Sequence, residues 1–114
     1  MNITPLESEE QKTLVQYMEL KGLKFTSIPN STYTKSWKQK AKNKAEGLRP
    51  GLPDMMVILN NKLIFIELKR VKGGQVSDSQ KSWIAALNGC ESVQAFVCYG
   101  AQEGIDLIEK LQKA

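Results

Sequence analysis

The chain has 114 residues, with 16 Lys plus Arg against 12 Asp plus Glu and no histidine. Its length fits one compact domain over residues 1–114, and 41% hydrophobic with 25% charged residues is a globular composition, not a disordered or fibrous one. The missing histidine excludes Ser-His-Asp and Cys-His machinery, histidine-ligated zinc, and nucleases built on a histidine base, so any hydrolysis must rest on carboxylates, lysine and a hard cation.

The net charge of +4 leans toward an anionic partner. Cys90 and Cys98 are too few for a disulfide framework or a structural zinc site, and read as small buried hydrophobes in a reducing compartment. The opening MNITPLESEEQ lacks the apolar run of a signal peptide, and no stretch approaches the ~20 apolar residues that span a bilayer. The expectation is a cytoplasmic protein without a membrane partner.

Residues 6–21 predict an amphipathic helix through Leu6, Leu14, Tyr17, Met18 and Lys21. Thr4 as N-cap, Pro5 and Glu7 resemble a capping box, and Gly22 is the stop. Leu23–Ile28 is a short β-prone run closed by Pro29-Asn30. Residues 31–49 then carry Lys35, Lys38, Lys40, Lys42, Lys44 and Arg49 against one acid, Glu46; this local charge of +5 leaves −1 for the rest of the chain. Tyr33 and Trp37 lie inside that stretch, which is a short helix, a loop, or a segment that orders on binding.

RPGLPD is a turn leading into strand Asp54–Leu59. Asn60-Asn61 suits a tight turn with positive φ, and Lys62–Lys69 returns as an antiparallel strand. After a glycine-bearing loop over Val71–Ser77, Ser77-Asp78-Ser79-Gln80 has the spacing of a capping box opening a helix that ends at Gly89. Ser92–Tyr99 is a further strand, and Ala101–Lys113 a final helix striped by Ile105, Ile108 and Leu111. The order α-β-β-β-α-β-α, with the basic segment after the first strand, is a mixed sheet flanked by helices in the α/β class.

Within LIFIELK, side chains alternate: Ile64, Ile66 and Leu68 face one way, Phe65, Glu67 and Lys69 the other. A hairpin turning at Asn60-Asn61 sets Asp54 almost opposite Glu67. Two facing carboxylates repel unless a cation lies between them, and a hard divalent ion such as Mg²⁺ or Mn²⁺ resolves the conflict.

Pro53-Asp54 followed by Glu67-Leu68-Lys69 resembles the PD-(D/E)XK nuclease signature. The wider string GLRPGLPDMMVI, LIFIELKR, a Gly-Gly loop and SDSQKSWIAAL is similar to the VRR-NUC family of that superfamily, over roughly residues 7–110. The family's own Val-Arg-Arg string is absent. The resemblance implies a restriction-endonuclease-like fold related to Holliday-junction resolvases and a Mg²⁺- or Mn²⁺-dependent endonuclease acting on branched DNA. It makes Asp54, Glu67 and the Leu68 carbonyl metal ligands, Lys69 the group that positions or activates water, and Gln80 a polar neighbour from the second helix. It adds a helical acid, Glu10 as first choice with Glu7 as the alternative. It also implies a bacterial or phage setting, and with the small footprint of one domain it suggests a homodimer on two-fold DNA.

Each feature has a plainer reading. Glu67-Lys69 fits a surface ion pair, and Glu7, Glu9 and Glu10 an acidic first turn that complements the helix dipole. Lys35–Arg49 suits a phosphate backbone, with Tyr33 and Trp37 stacking on bases, or a solubilising surface with Trp37 in the core. Arg70, Lys72 and Lys81 flank the site and either meet phosphates or stand exposed. Trp83 fits the core. The competing functions are a non-catalytic nucleic-acid-binding module, or an accessory subunit, that keeps the nuclease fold.

Overall fold

A computed structural model describes residues 4–29 and 34–113. The elements run α1 (Glu7–Leu20), β1 (Phe25–Ser27), α2 (Trp37–Ala45), β2 (Met55–Leu59), β3 (Lys62–Lys69), α3 (Asp78–Asn88), β4 (Val93–Tyr99) and α4 (Ala101–Lys113). One four-stranded sheet has the order β1-β2-β3-β4, antiparallel except for the parallel β3–β4 pair. The mixed α/β class read from the sequence is therefore the observed one, with α3 as the crossover that a parallel pair requires.

The β2–β3 hairpin follows its turn chemistry. Asn60 and Asn61 have φ of 49° and 63°, a left-handed pair that Asn tolerates better than most residues. The Asn60 amide also donates to the Leu111 and Gln112 carbonyls at 2.8 and 3.2 Å, tying the turn to the end of α4. The resulting register pairs Met55 with Ile66 and Leu59 with Lys62.

Ile64, Ile66 and Leu68 of β3 join Met55, Val57 and Leu59 of β2 and Cys98 of β4 on one face. Leu14 and Met18 of α1, with Ala101 and Ile108 of α4, complete that core. Gly104 lets the two helices approach, since a Cβ there would lie 3.0 Å from Leu14 Cδ2. Residues 64–69 are buried without interruption, so Glu67 and Lys69 are enclosed together with the apolar residues of β3.

β4 forms one edge of the sheet, and side chains engage its backbone at Ala95 and Tyr99. Asn88 accepts from the Ala95 N–H at 2.8 Å and donates to the Ala95 carbonyl at 3.1 Å, while Glu103 accepts from the Tyr99 N–H at 2.9 Å.

Several local expectations change. The Thr4 cap does not form: Leu6, extended at φ −68° and ψ 154°, is the N-cap and no side chain caps the helix. The cause is Arg70, whose guanidinium donates to the Pro5 and Thr4 carbonyls at 3.3 and 3.2 Å and keeps that entry extended. The basic segment contains a helix, α2, capped by Ser36, whose hydroxyl accepts from the Gln39 N–H at 3.2 Å. Trp37 is 83% exposed and so lies outside the core; Tyr33 falls outside the described residues. Trp83 is half-buried, held by its indole N–H to the Pro50 carbonyl at 3.0 Å. Cys98 is buried as expected, its thiol pushed up to about 12 by burial and Glu103, whereas Cys90 is exposed. The Ser77–Gln80 capping box forms as read.

Gly51 holds the loop before β2 against α3. Its φ is +107°, and a Cβ would lie 2.6 Å from the Ser79 backbone carbonyl. Gly51→Ala is therefore expected to cost about 2 kcal/mol or more, read as a lowered midpoint of urea unfolding; an unchanged midpoint would show that this loop is free to shift.

Candidate functional site

The Gly51-Leu52-Pro53 loop delivers Asp54 to the mouth of the hairpin. One step beyond the Met55–Ile66 pair, the register sets Asp54 opposite Glu67. Two backbone bonds fix it there. The Ile28 N–H donates to the Asp54 carbonyl at 2.7 Å, and the Leu68 N–H donates to Asp54 Oδ2 at 2.9 Å.

Glu67 is 1% exposed, and Lys69, two residues on and on the same face, is 9% exposed. Lys69 Nζ lies 3.8 Å from Glu67 Oε2. Among the described residues, Glu67 Oε1 is one of two buried side-chain oxygens without a hydrogen-bond partner. Burial, then the adjoining Asp54 carboxyl as hydrogen-bond partner and like charge, raise the Glu67 pKa to about 8, against the pull of Lys69. Glu7 is also raised, first by burial and then by Asp54.

The acid that α1 brings to this pair is Glu7. One carboxylate oxygen from each of Glu7, Asp54 and Glu67 falls within a common 4.8 Å spread. Glu10, the first choice from sequence, stands elsewhere: its Oε1 accepts from the Ala101 N–H, the start of α4, at 3.2 Å. Gly100 makes room for that contact, since a Cβ there would lie 3.0 Å from Glu10 Oε2. The two acids sit on different lines of one helix. Glu7, Gln11, Leu14 and Met18 run toward the sheet, while Glu10 and Tyr17 run toward α4, where Tyr17 donates to Glu109 at 3.3 Å.

A cleft of about 470 Å³ opens over Asp54 and Glu67, lined also by Gln80 and by Gln11 and Ser27. Gln80 is thus placed beside the acids while its Oε1 accepts from the Ser77 N–H at 2.9 Å. Gln11 was not singled out from sequence; its signal is the four-residue step from Glu7. Arg70, read as a phosphate contact, is engaged with the entry to α1, whereas Lys72 is exposed. Lys35, Lys38, Lys40, Lys42, Lys44 and Arg49 are all exposed, and Arg49 also donates to the Lys44 carbonyl at 3.0 Å.

A hard cation suits this donor set. Three carboxylates converge, one is deeply buried, and one of its oxygens has no protein donor, so the geometry leaves a place for positive charge.

A mixed sheet with helices on both faces, carrying two acids and a lysine at the open end of its central hairpin, is the restriction-endonuclease-like architecture. The VRR-NUC domain profile matches residues 3–102, and the chain belongs to the VRR-NUC family. Among solved structures it is similar to a "VRR_NUC domain protein" at 21% identity and TM-score 0.78, covering 97% of this chain and 91% of that one. A second, titled "VRR_NUC domain", matches at 23% identity and TM-score 0.64, covering 90% and 94%. No curated protein matches the chain. Among the described residues no helix is long and apolar enough to cross a membrane.

The raised Glu67 pKa has a stability consequence. Near pH 4.5 the carboxyl begins to release its proton in the unfolded chain, yet the folded protein retains it until about pH 8. Its contribution to stability is thus present at low pH and lost as pH rises through that window. In EDTA, Glu67→Gln is expected to flatten this decline and to raise stability at pH 8 by about 1 kcal/mol or more, measured by urea unfolding between pH 5 and 8. An unchanged slope would place the titration in another group.

Proposed function

We propose that this protein is a divalent-metal-dependent endonuclease that hydrolyses phosphodiester bonds in branched DNA. The observation that carries this reading is the convergence of Glu7, Asp54 and Glu67 beside Lys69, with Glu67 Oε1 buried and without a partner. Glu7, Asp54 and Glu67 would hold the ion, with the Leu68 carbonyl as a further ligand. When bound, Mg²⁺ or Mn²⁺ supplies charge neutralisation at the phosphate and a more acidic bound water.

The chain's own groups divide the remaining work. Lys69, fixed beside Glu67, orients the attacking water and offsets charge that develops on the phosphate. Asp54 is kept in register by the Leu68 N–H, so that its approach to the ion costs little reordering. Gln80 presents its amide to the same cleft from the capped first turn of α3. Glu10 and Arg70 act on α1, the first at the start of α4 and the second at the entry to the helix, and together they set the height of Glu7. The exposed lysines of α2 contact the DNA backbone. A homodimer would present two such sites to a two-fold junction, in a bacterial cell or from a phage genome.

Cleavage of labelled four-way junctions, flaps and linear duplex with Mg²⁺ or Mn²⁺ tests the reading. Asp54→Ala and Lys69→Ala should each lower the rate by about 100-fold or more. Activity that survives both substitutions would mean that this cleft is not the site. No cleavage of any DNA form by the unaltered protein, together with salt-dependent DNA binding, would identify a binding module instead.

Metal binding has its own readout. Added Mg²⁺ or Mn²⁺ should raise the melting temperature, because the ion binds the folded state. Glu7→Gln should abolish most of that rise. Glu10→Gln should retain it, since its amide oxygen can still accept from the Ala101 N–H. The opposite ranking would return the ligand role to Glu10.

A further inference from the structure

We infer that Trp37 is a stacking platform for an exposed base, so that this protein holds DNA bearing an unpaired or terminal nucleotide in preference to uninterrupted duplex. The inference rests on the DNA reading above and deepens it. Trp37 is the first residue of α2 and is 83% exposed, although indole is among the side chains that gain most from burial. No side chain of α2 is buried.

The helix has three distinct faces. Trp37, Ala41 and Ala45 follow each other at four-residue steps and make a narrow stripe of one large aromatic and two small residues. Lys40 and Lys44 line one side of that stripe, and Lys38 and Lys42 the other. Behind them, Gln39 donates to Asn43 at 2.6 Å and closes the polar back of the helix. The stripe is low where alanine stands, so a nucleic-acid strand can lie along it with lysines reaching phosphates on both sides. Two alanines give no apolar face deep enough for a bilayer.

Lys40 prepares the ring. Its Nζ sits 5.0 Å from the Trp37 ring centroid, a cation–π contact that limits the rotamers of an otherwise exposed side chain. A restrained, solvated aromatic face next to cations is what a base needs, since every base has a π-face and stacking requires no particular sequence. In continuous duplex both faces of each base are already covered by neighbours. The ring can serve only where a face is open, as at an overhang, a gap, a flap or a strand end.

Binding of fluorescein-labelled oligonucleotides in EDTA, followed by anisotropy at fixed salt, tests this without cleavage. The probes are a single strand, a duplex with an overhang, and a duplex closed at both ends by non-nucleotide linkers, which carries no unpaired base. Trp37→Ala should weaken the first two by about 5- to 30-fold and the closed duplex by less than about 2-fold. Trp37→Tyr should restore most of the loss and Trp37→Leu little, because stacking, not apolarity, is what is replaced. Tryptophan emission of the unaltered protein should fall on adding the single strand, and that fall should vanish in Trp37→Ala. Equal weakening on all three probes, or on none, would overturn the proposal. If this ranking is found while no DNA is cleaved, stacking stands and the nuclease reading fails. If DNA is cleaved and Trp37→Ala binds as the unaltered protein does, the nuclease reading stands alone.

Discussion

The burial of the Glu67 carboxylate is the constraint on which the rest of the molecule turns. An ionised carboxylate removed from water costs several kcal/mol unless partners compensate, and Glu67 sits at 1% exposure in a strand buried on both faces. Lys69 compensates in part at 3.8 Å, while Asp54 opposes ionisation from across the hairpin. The remaining imbalance is electrostatic and local, and a divalent ion is the most economical way to remove it. Everything that brackets Glu67 holds this arrangement in place: the Asn60-Asn61 turn sets the register, Gly51 presses the incoming loop on α3, and Arg70 fixes the entry to α1.

Much of this was legible in the sequence because it depends on periodicity. The hairpin, its turn and the Asp54–Glu67 opposition follow from alternation and a two-residue turn, and the Ser77 capping box from a three-residue spacing. Glu7 against Glu10 was harder. Both acids lie within reach of Leu14 along one helix, at seven and four residues, and only the position of α4 decides which line faces the carboxylates. That position is tertiary: Glu10 is drawn to the Ala101 N–H, a partner 91 residues away. The Thr4 cap failed for the same reason, since Arg70 competes for the chain that would have formed it.

The basic segment divides the molecule into two regimes. Around β3, burial is continuous and side chains are fixed by packing. In α2, helicity rests on the Ser36 cap, a Gln39–Asn43 contact and its own backbone, with lysine after lysine in solvent. Such a nine-residue helix gains little from tertiary contacts. Its order depends more on salt than does that of the rest of the chain, so the most highly charged segment is also the one with least tertiary support.

The outer strand β4 carries a consequence for self-association. A bare strand edge recruits foreign strands, and proteins that persist in solution blunt it. Here the Asn88 amide takes the place of a neighbouring strand at Ala95, bonding its N–H and its carbonyl together, and Glu103 occupies the Tyr99 N–H. At the other side β1 is only three residues long. Among the described residues, both margins are thus weakened as templates for sheet extension, one by these bonds and the other by its length. A foreign strand that approaches the β4 side therefore meets backbone groups at Ala95 and Tyr99 that are already bonded within the same chain.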